Sequence, residues 1–172
     1  MGVGKSTVGP LLAQRMGWDF IDSDHWIEAQ TGKVPADWIE SQGERSFREI
    51  ESQCLEALSS STPLVVALGG GAFCEAGDFP WLNSQSVVVY LRASLAILKE
   101  RIQTGSEGAA QIRPLLKRAE GEFCAERMEE LLKKREPFYE KADYSILTDG
   151  KTPQVVAQEI DALLHLSCNR IF

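Results

Sequence analysis

The chain opens with Gly2-Val3-Gly4-Lys5-Ser6-Thr7, and its Gly-Lys-Ser stands directly ahead of a segment with helical spacing. These residues are the back half of the phosphate-binding motif G-x-x-x-x-G-K-[ST]. The chemistry of that motif is anion capture: backbone amides before a helix N-terminus hold phosphate oxygens, the lysine reaches the β- and γ-phosphates, and the serine hydroxyl ligates Mg2+. A Ser/Thr-capped surface helix is the plainer alternative. Asp22-Ser23-Asp24 offers two carboxylates one residue apart where an apolar strand gives way to a helix. One can hold the hydration shell of Mg2+ while the other accepts a substrate proton. Otherwise Asp24 is a helix N-cap.

Gly43-Glu44-x-x-Phe47-Arg48-x-x-Glu51 puts Arg48 within ion-pair reach of Glu44 and Glu51 on one helix face, which is also the pattern of an ordinary ion-paired helix. Gly69-Gly70-Gly71 directly follows an apolar run of strand length. Three glycines lose much backbone entropy on folding, so a bare turn seldom needs them all, and they fit a backbone that lies against a ligand. Arg113, in Arg113-Pro114-Leu115-Leu116, follows the loosely patterned stretch 104–111. An arginine on such a flap can swing over a nucleotide and neutralise charge on a transferring phosphoryl group; the alternative is a loop arginine ahead of a proline-started helix. Arg135 lies near a helix C-terminus, where a cation also complements the dipole. His25 and His165 show no partner pattern and are given no role.

Bringing these residues together requires alternating strands and helices, and the apolar spacing supplies them. Val8, Leu11, Leu12 and Met16 predict a helix over 5–16, stopped near Gly17. A strand over 18–22, a short helix over 24–30 and a helix from Pro35 to about 41 follow. After Gly43 comes a long amphipathic helix carrying Phe47, Ile50, Cys54, Leu55 and Leu58. The runs 64–68 and 87–91 suit a sheet buried on both faces. Helices over 94–102, about 121–139 and 153–166, with a strand over 144–147, complete an α/β domain with a mainly parallel sheet. Residues 1–172 are expected to form one domain.

The chain is 172 residues long and 44% hydrophobic, enough for a core, and no segment approaches the roughly 20 apolar residues of a membrane span. No signal-peptide pattern is visible, so a cytoplasmic address is expected; a monomer with no membrane partner is expected as well. A net charge of −7 is wrong for binding a nucleic-acid backbone, which needs clustered Lys and Arg. Cys54, Cys74, Cys124 and Cys168 stand far apart without a CxxC pair and read as reduced, packed thiols.

Taken in order, GxGKST, DSD, GExxFRxxE, LGGGA, RPLL and KRxPxY resemble the shikimate kinase family, from Gly2 to about Tyr139. Single pieces are shared with other phosphate-loop kinases; the combination carries the resemblance. It implies a fold like the nucleoside monophosphate kinases, with ATP and Mg2+ as cofactors and transfer of the γ-phosphate to the 3-hydroxyl of shikimate. By the same resemblance Gly2, Val3, Gly4, Lys5, Ser6 and Thr7 would hold ATP, with Lys5 on the β- and γ-phosphates. Ser6 and Asp22 would serve the metal, and Asp24 would bind substrate hydroxyls and act as base. Arg48 and Arg135 would clamp the substrate carboxylate, and Gly69, Gly70 and Gly71 would lie against its ring. Arg113 would be the lid arginine on a flap over 104–120, Arg101 would stack on adenine with Lys151 nearby, and residues 23–58 would form the substrate-binding helical segment.

Three departures stand beside the resemblance. The motif's first glycine would fall two residues before Met1, and the strand that feeds the loop in the family is not among these residues, so four strands with a gap and weakened ATP binding are expected. The flap is longer and less basic than the family's, and Lys151 stands where the family often offers an arginine. Another phosphate-loop kinase, such as a gluconate or nucleoside monophosphate kinase, is the rival enzyme, and a kinase-like binding protein without catalysis is the rival of another kind.

Overall fold

Glycine and proline punctuate the front half of the chain. The computed structural model describes residues 2–59, 63–72, 86–104 and 124–168. Helix α1 (Lys5–Met16) ends at Gly17, whose φ of 68° lets the chain reverse, and β1 (Asp19–Asp22) begins two residues later. Helix α2 (Ser23–Thr31) follows β1 with no loop between them. Helix α3 (Pro35–Gln42) has proline in its first turn, and Gly43 separates it from α4 (Glu44–Ser59). Then come β2 (Leu64–Ala67), β3 (Val89–Arg92), α5 (Leu95–Thr104), α6 (Ala125–Tyr139), β4 (Tyr144–Leu147) and α7 (Pro153–Cys168).

Strand β1 pairs in parallel with β2, Asp19 opposite Leu64 and Asp22 opposite Ala67. Strand β3 pairs in parallel with β4, Val89 opposite Tyr144 and Arg92 opposite Leu147. Among the described residues these are two separate two-stranded sheets, so the four expected strands are present as two pairs. The α/β class read from the sequence holds.

Side chains of β2 alternate between two apolar clusters, as a strand covered on both faces requires. Val65 packs toward a cluster built on Val8 and Leu12 of α1, Leu91, Ile146, and Val156 and Ile160 of α7. Leu64 and Val66 face a second cluster made by Ile27, Phe47, Cys54 and Leu58. Helix α1 therefore lies on one face of β1–β2, and α2 and α4 cover the other. The second pair departs from expectation: Val87 is 51% exposed and Leu147 is 49% exposed. The expected strand over 87–91 begins at Val89 because the amide of Val88 is taken by the Asp143 carboxylate at 2.7 Å. Cys54 and Cys124 are free and buried, as read from their spacing. No helix among the described residues is long and apolar enough to cross a membrane.

Candidate active site

Functional side chains gather where parallel strands end and helices begin, the edge at which α/β sheets bind ligands. Helix α1 is entered through Gly4, which has φ 99° and carries no side-chain cap. The Ser/Thr cap that would have made this an ordinary surface helix does not form. Gly2 also has positive φ, at 69°, and left-handed residues before a helix turn backbone amides toward a common point, which suits an anion. The carbonyl of Val3 accepts from Arg101 Nη1 at 3.2 Å, and the same nitrogen reaches Thr148 Oγ1 at 3.3 Å. Arg101 is thereby tied to the loop and to the end of β4. Lys151 Nζ pairs with Glu159 at 2.6 Å. Gly2 through Thr7, Arg101 and Lys151 line one cleft of about 740 Å³, a size that suits small ligands.

The acid pair divides as its spacing allows, with the capping role reversed. Asp22, not Asp24, caps α2: its Oδ1 accepts from the Asp24 amide at 3.1 Å. The cap falls there because Asp22 has extended backbone (φ −96°, ψ 121°), whereas Asp24 already lies inside the helix. The other Asp22 oxygen accepts from Ser6 Oγ at 2.6 Å, joining the end of β1 to the start of α1. A hydroxyl and a carboxylate oxygen side by side are hard donors that fit Mg2+, an ion that binds through one or two carboxylates and keeps several waters. Asp24 lines the cleft, and its carboxyl is held above the usual 3.8 by burial first and by the Asp22 charge second, while Lys5, His25 and Arg48 pull the other way.

Arg48 and the glycine turn meet across the cleft. Arg48 Nη1 bonds Glu51 at 2.8 Å and Nη2 bonds Glu44 at 2.9 Å; Glu51 is 2% exposed. A Cβ on Gly71 would sit 2.5 Å from Arg48 Nη2, and one on Gly69 would sit 2.7 Å from Asp24 Oδ1. The triple glycine thus lets backbone lie against both a guanidinium and a carboxylate. Arg135 on α6 is only 8% exposed and lines the same cleft, yet among the described residues it makes no ion pair or hydrogen bond. A buried guanidinium is costly without an anion, so its position calls for one.

Lys5, Ser6, Asp22, Asp24, Arg48, Gly69–Gly71, Arg101, Arg135 and Lys151 all reach this one cleft. Arg113 and the flap stretch after Thr104 lie outside the described residues. Reading the sequence passed over four contributors. His25, given no role, lines the cleft. Thr148 holds Arg101, Ser23 Oγ accepts from the Gly69 amide at 2.9 Å, and the Tyr139 hydroxyl donates to the Gly70 carbonyl. Ser23 and Tyr139 sit inside quoted motifs, DSD and KRxPxY, so attention to every polar member would have found them; Thr148 carried no signal.

A helix start suited to an anion, a hard-oxygen pair beside it and basic side chains in the same cleft fit a phosphate-loop phosphotransferase of α/β fold. A family model described as shikimate kinase matches residues 1–164. The chain belongs to the shikimate kinase family. It is 38% identical to the shikimate kinase of Chlorobaculum parvum, covering 99% of this chain and 91% of that one. It is 40% identical to that of Chlorobaculum tepidum over 92% of this chain and 83% of the relative. Among solved structures, the shikimate kinase of Acinetobacter baumannii in complex with shikimate superposes with a TM-score of 0.84 at 36% identity, covering 97% of this chain and 89% of that chain.

Proposed function

We propose that this chain transfers the γ-phosphate of ATP to the 3-hydroxyl of shikimate, giving shikimate 3-phosphate and ADP. Family membership supports the reaction, and the observation that carries the assignment of residues is Arg135, a buried cation in the cleft wall with no partner among the described residues. A carboxylate on the acceptor supplies its missing anion. Arg48, fixed from behind by buried Glu51, is the second prong of that clamp, a task suited to planar guanidinium forks.

Lys5 and the Gly2–Thr7 backbone hold the phosphates, Arg101 and Lys151 line the nucleotide end, and Arg113 serves as the lid arginine. Ser6 and Asp22 would hold Mg2+, which would supply positive charge to offset that of the transferred phosphoryl group. Asp24 takes the proton of the acceptor hydroxyl as its oxygen forms a bond to the γ-phosphorus, and the bond from that phosphorus to the bridging oxygen breaks to release ADP. Burial raises the Asp24 pKa and so makes its carboxylate a stronger base than an exposed aspartate. The protein works as a cytoplasmic monomer with no nucleic-acid or membrane partner.

A coupled assay of ADP release across shikimate, gluconate and nucleoside monophosphates tests the reaction, with turnover expected on shikimate. Turnover of gluconate or a nucleotide and none of shikimate would overturn it; ATP and shikimate binding without ADP release would favour a binding protein. Arg135→Lys keeps the charge but not the fork, so its KM for shikimate is expected to rise about tenfold while KM for ATP holds. An unchanged shikimate KM would remove Arg135 from the clamp.

A further inference from the structure

The triple-glycine turn is the part of the cleft least able to hold its own shape. Gly69–Gly71 carries no side chains to pack, and glycine backbone explores more conformations than any other. Yet the turn has narrow tolerances, with Asp24 against Gly69 and the Arg48 guanidinium against Gly71. Side-chain hydrogen bonds from two different helices reach it. Ser23, fully buried at the start of α2, accepts from the Gly69 amide at 2.9 Å. Tyr139, the last residue of α6, donates its hydroxyl to the Gly70 carbonyl.

The origin of each bond matters more than its strength. Ser23 stands between Asp22 and Asp24, so its bond ties the turn to the backbone that carries both acids. Tyr139 lies one helical turn beyond Arg135, so its bond ties the turn to the helix that carries the Arg135 guanidinium. The Tyr139 ring is itself fixed by the Tyr90 ring of β3, with centroids 5.1 Å apart at 33°. Acid and guanidinium are therefore each referenced to the same three glycines through one side-chain hydrogen bond.

We propose that Ser23 and Tyr139 are positioning residues that pin the Gly69–Gly71 turn to two helices and so set the spacing between Asp24 and Arg135 for the acceptor. This rests on the shikimate reading of the cleft. Neither residue is required to touch the acceptor; each acts through the turn. Loss of the Tyr139 bond loosens the turn relative to the guanidinium, which is an effect on acceptor binding. Loss of the Ser23 bond loosens it relative to the base and also leaves the partly buried Gly69 amide without that acceptor, which affects both binding and turnover.

The test is a kinetic split with conservative rescue. Tyr139→Phe keeps the ring stack and removes only the hydroxyl; KM for shikimate is expected to rise about fivefold, with kcat, KM for ATP and Tm nearly unchanged. Tyr90→Phe leaves the bond to Gly70 in place and is expected to match the parent; an equal rise there would assign the effect to the stacked rings and overturn the role of the hydroxyl. Ser23→Ala is expected to raise shikimate KM and lower kcat, while Ser23→Thr, which retains a hydroxyl, recovers most of both. Parent-like shikimate KM in Tyr139→Phe and Ser23→Ala, in an enzyme that phosphorylates shikimate, overturns the proposal and leaves the function intact. Should the parent chain not turn shikimate over, amide hydrogen exchange still decides: faster exchange at 69–71 in both variants, with protection restored in Ser23→Thr, supports the pins, and unchanged exchange rejects them.

Discussion

Asp24, the proposed base, sits where its charge works against stability. Its carboxyl is raised above 3.8, chiefly by burial, so the folded chain holds that proton more tightly than the unfolded one. Its contribution to stability is therefore greatest below 3.8 and falls as pH climbs through the raised value, above which the carboxylate is ionised and partly desolvated. Asp24→Asn should therefore lower kcat about 10²-fold or more while raising Tm at pH 7, and the Tm gain should shrink as the pH is brought down toward 3.8. Parallel kinetics and thermal unfolding check it; a variant that lost both activity and Tm would assign Asp24 a structural role. The acid pair was legible in the sequence, but the cap was not. The sequence offered Asp24 for that place, and only the extended backbone at the end of β1 shows that Asp22 fills it.

At the scale of elements, α4 and the glycine turn behave as one surface. Arg48 is held by Glu44 and Glu51, so it cannot easily retreat from a side chain added at Gly71, where a Cβ would fall 2.5 Å from Nη2. Gly71→Ala is expected to raise shikimate KM about tenfold or more with ATP KM unchanged; equal KM values in the two proteins would mean that the guanidinium moves aside freely. Element boundaries in the front half were legible to within a residue or two because Gly17, Gly43 and Pro35 mark them locally. Val87 was misread as strand because what ends that ladder is Asp143, a carboxylate 55 residues away in sequence. Local spacing announces an element; a distant side chain can shorten it.

Across the whole molecule, α1 joins the phosphate end to the closing helix. Arg15 pairs with Asp161 across 146 residues of sequence at 3.0 Å, while Leu12 is buried in the shared cluster. The two contacts should differ in worth. With its side chain 44% exposed, Arg15→Ala is expected to cost no more than about 1 kcal/mol, and Leu12→Ala about 2–5 kcal/mol, as read from denaturant midpoints. Helical spacing marked Leu12 as inward-facing; its packing against α7 was hidden because nothing local encodes which distant helix will cover it. The two apolar clusters divide the labour further. Helices α2 and α4 rest on Ile27, Phe47, Cys54 and Leu58, whereas the phosphate end rests on α1, α5 and α7. Two cores rather than one mean that damage stays local: a cavity opened at Phe47 or Leu58 would be felt first by α2 and α4, and one opened at Leu12 or Val156 first by α1 and α7.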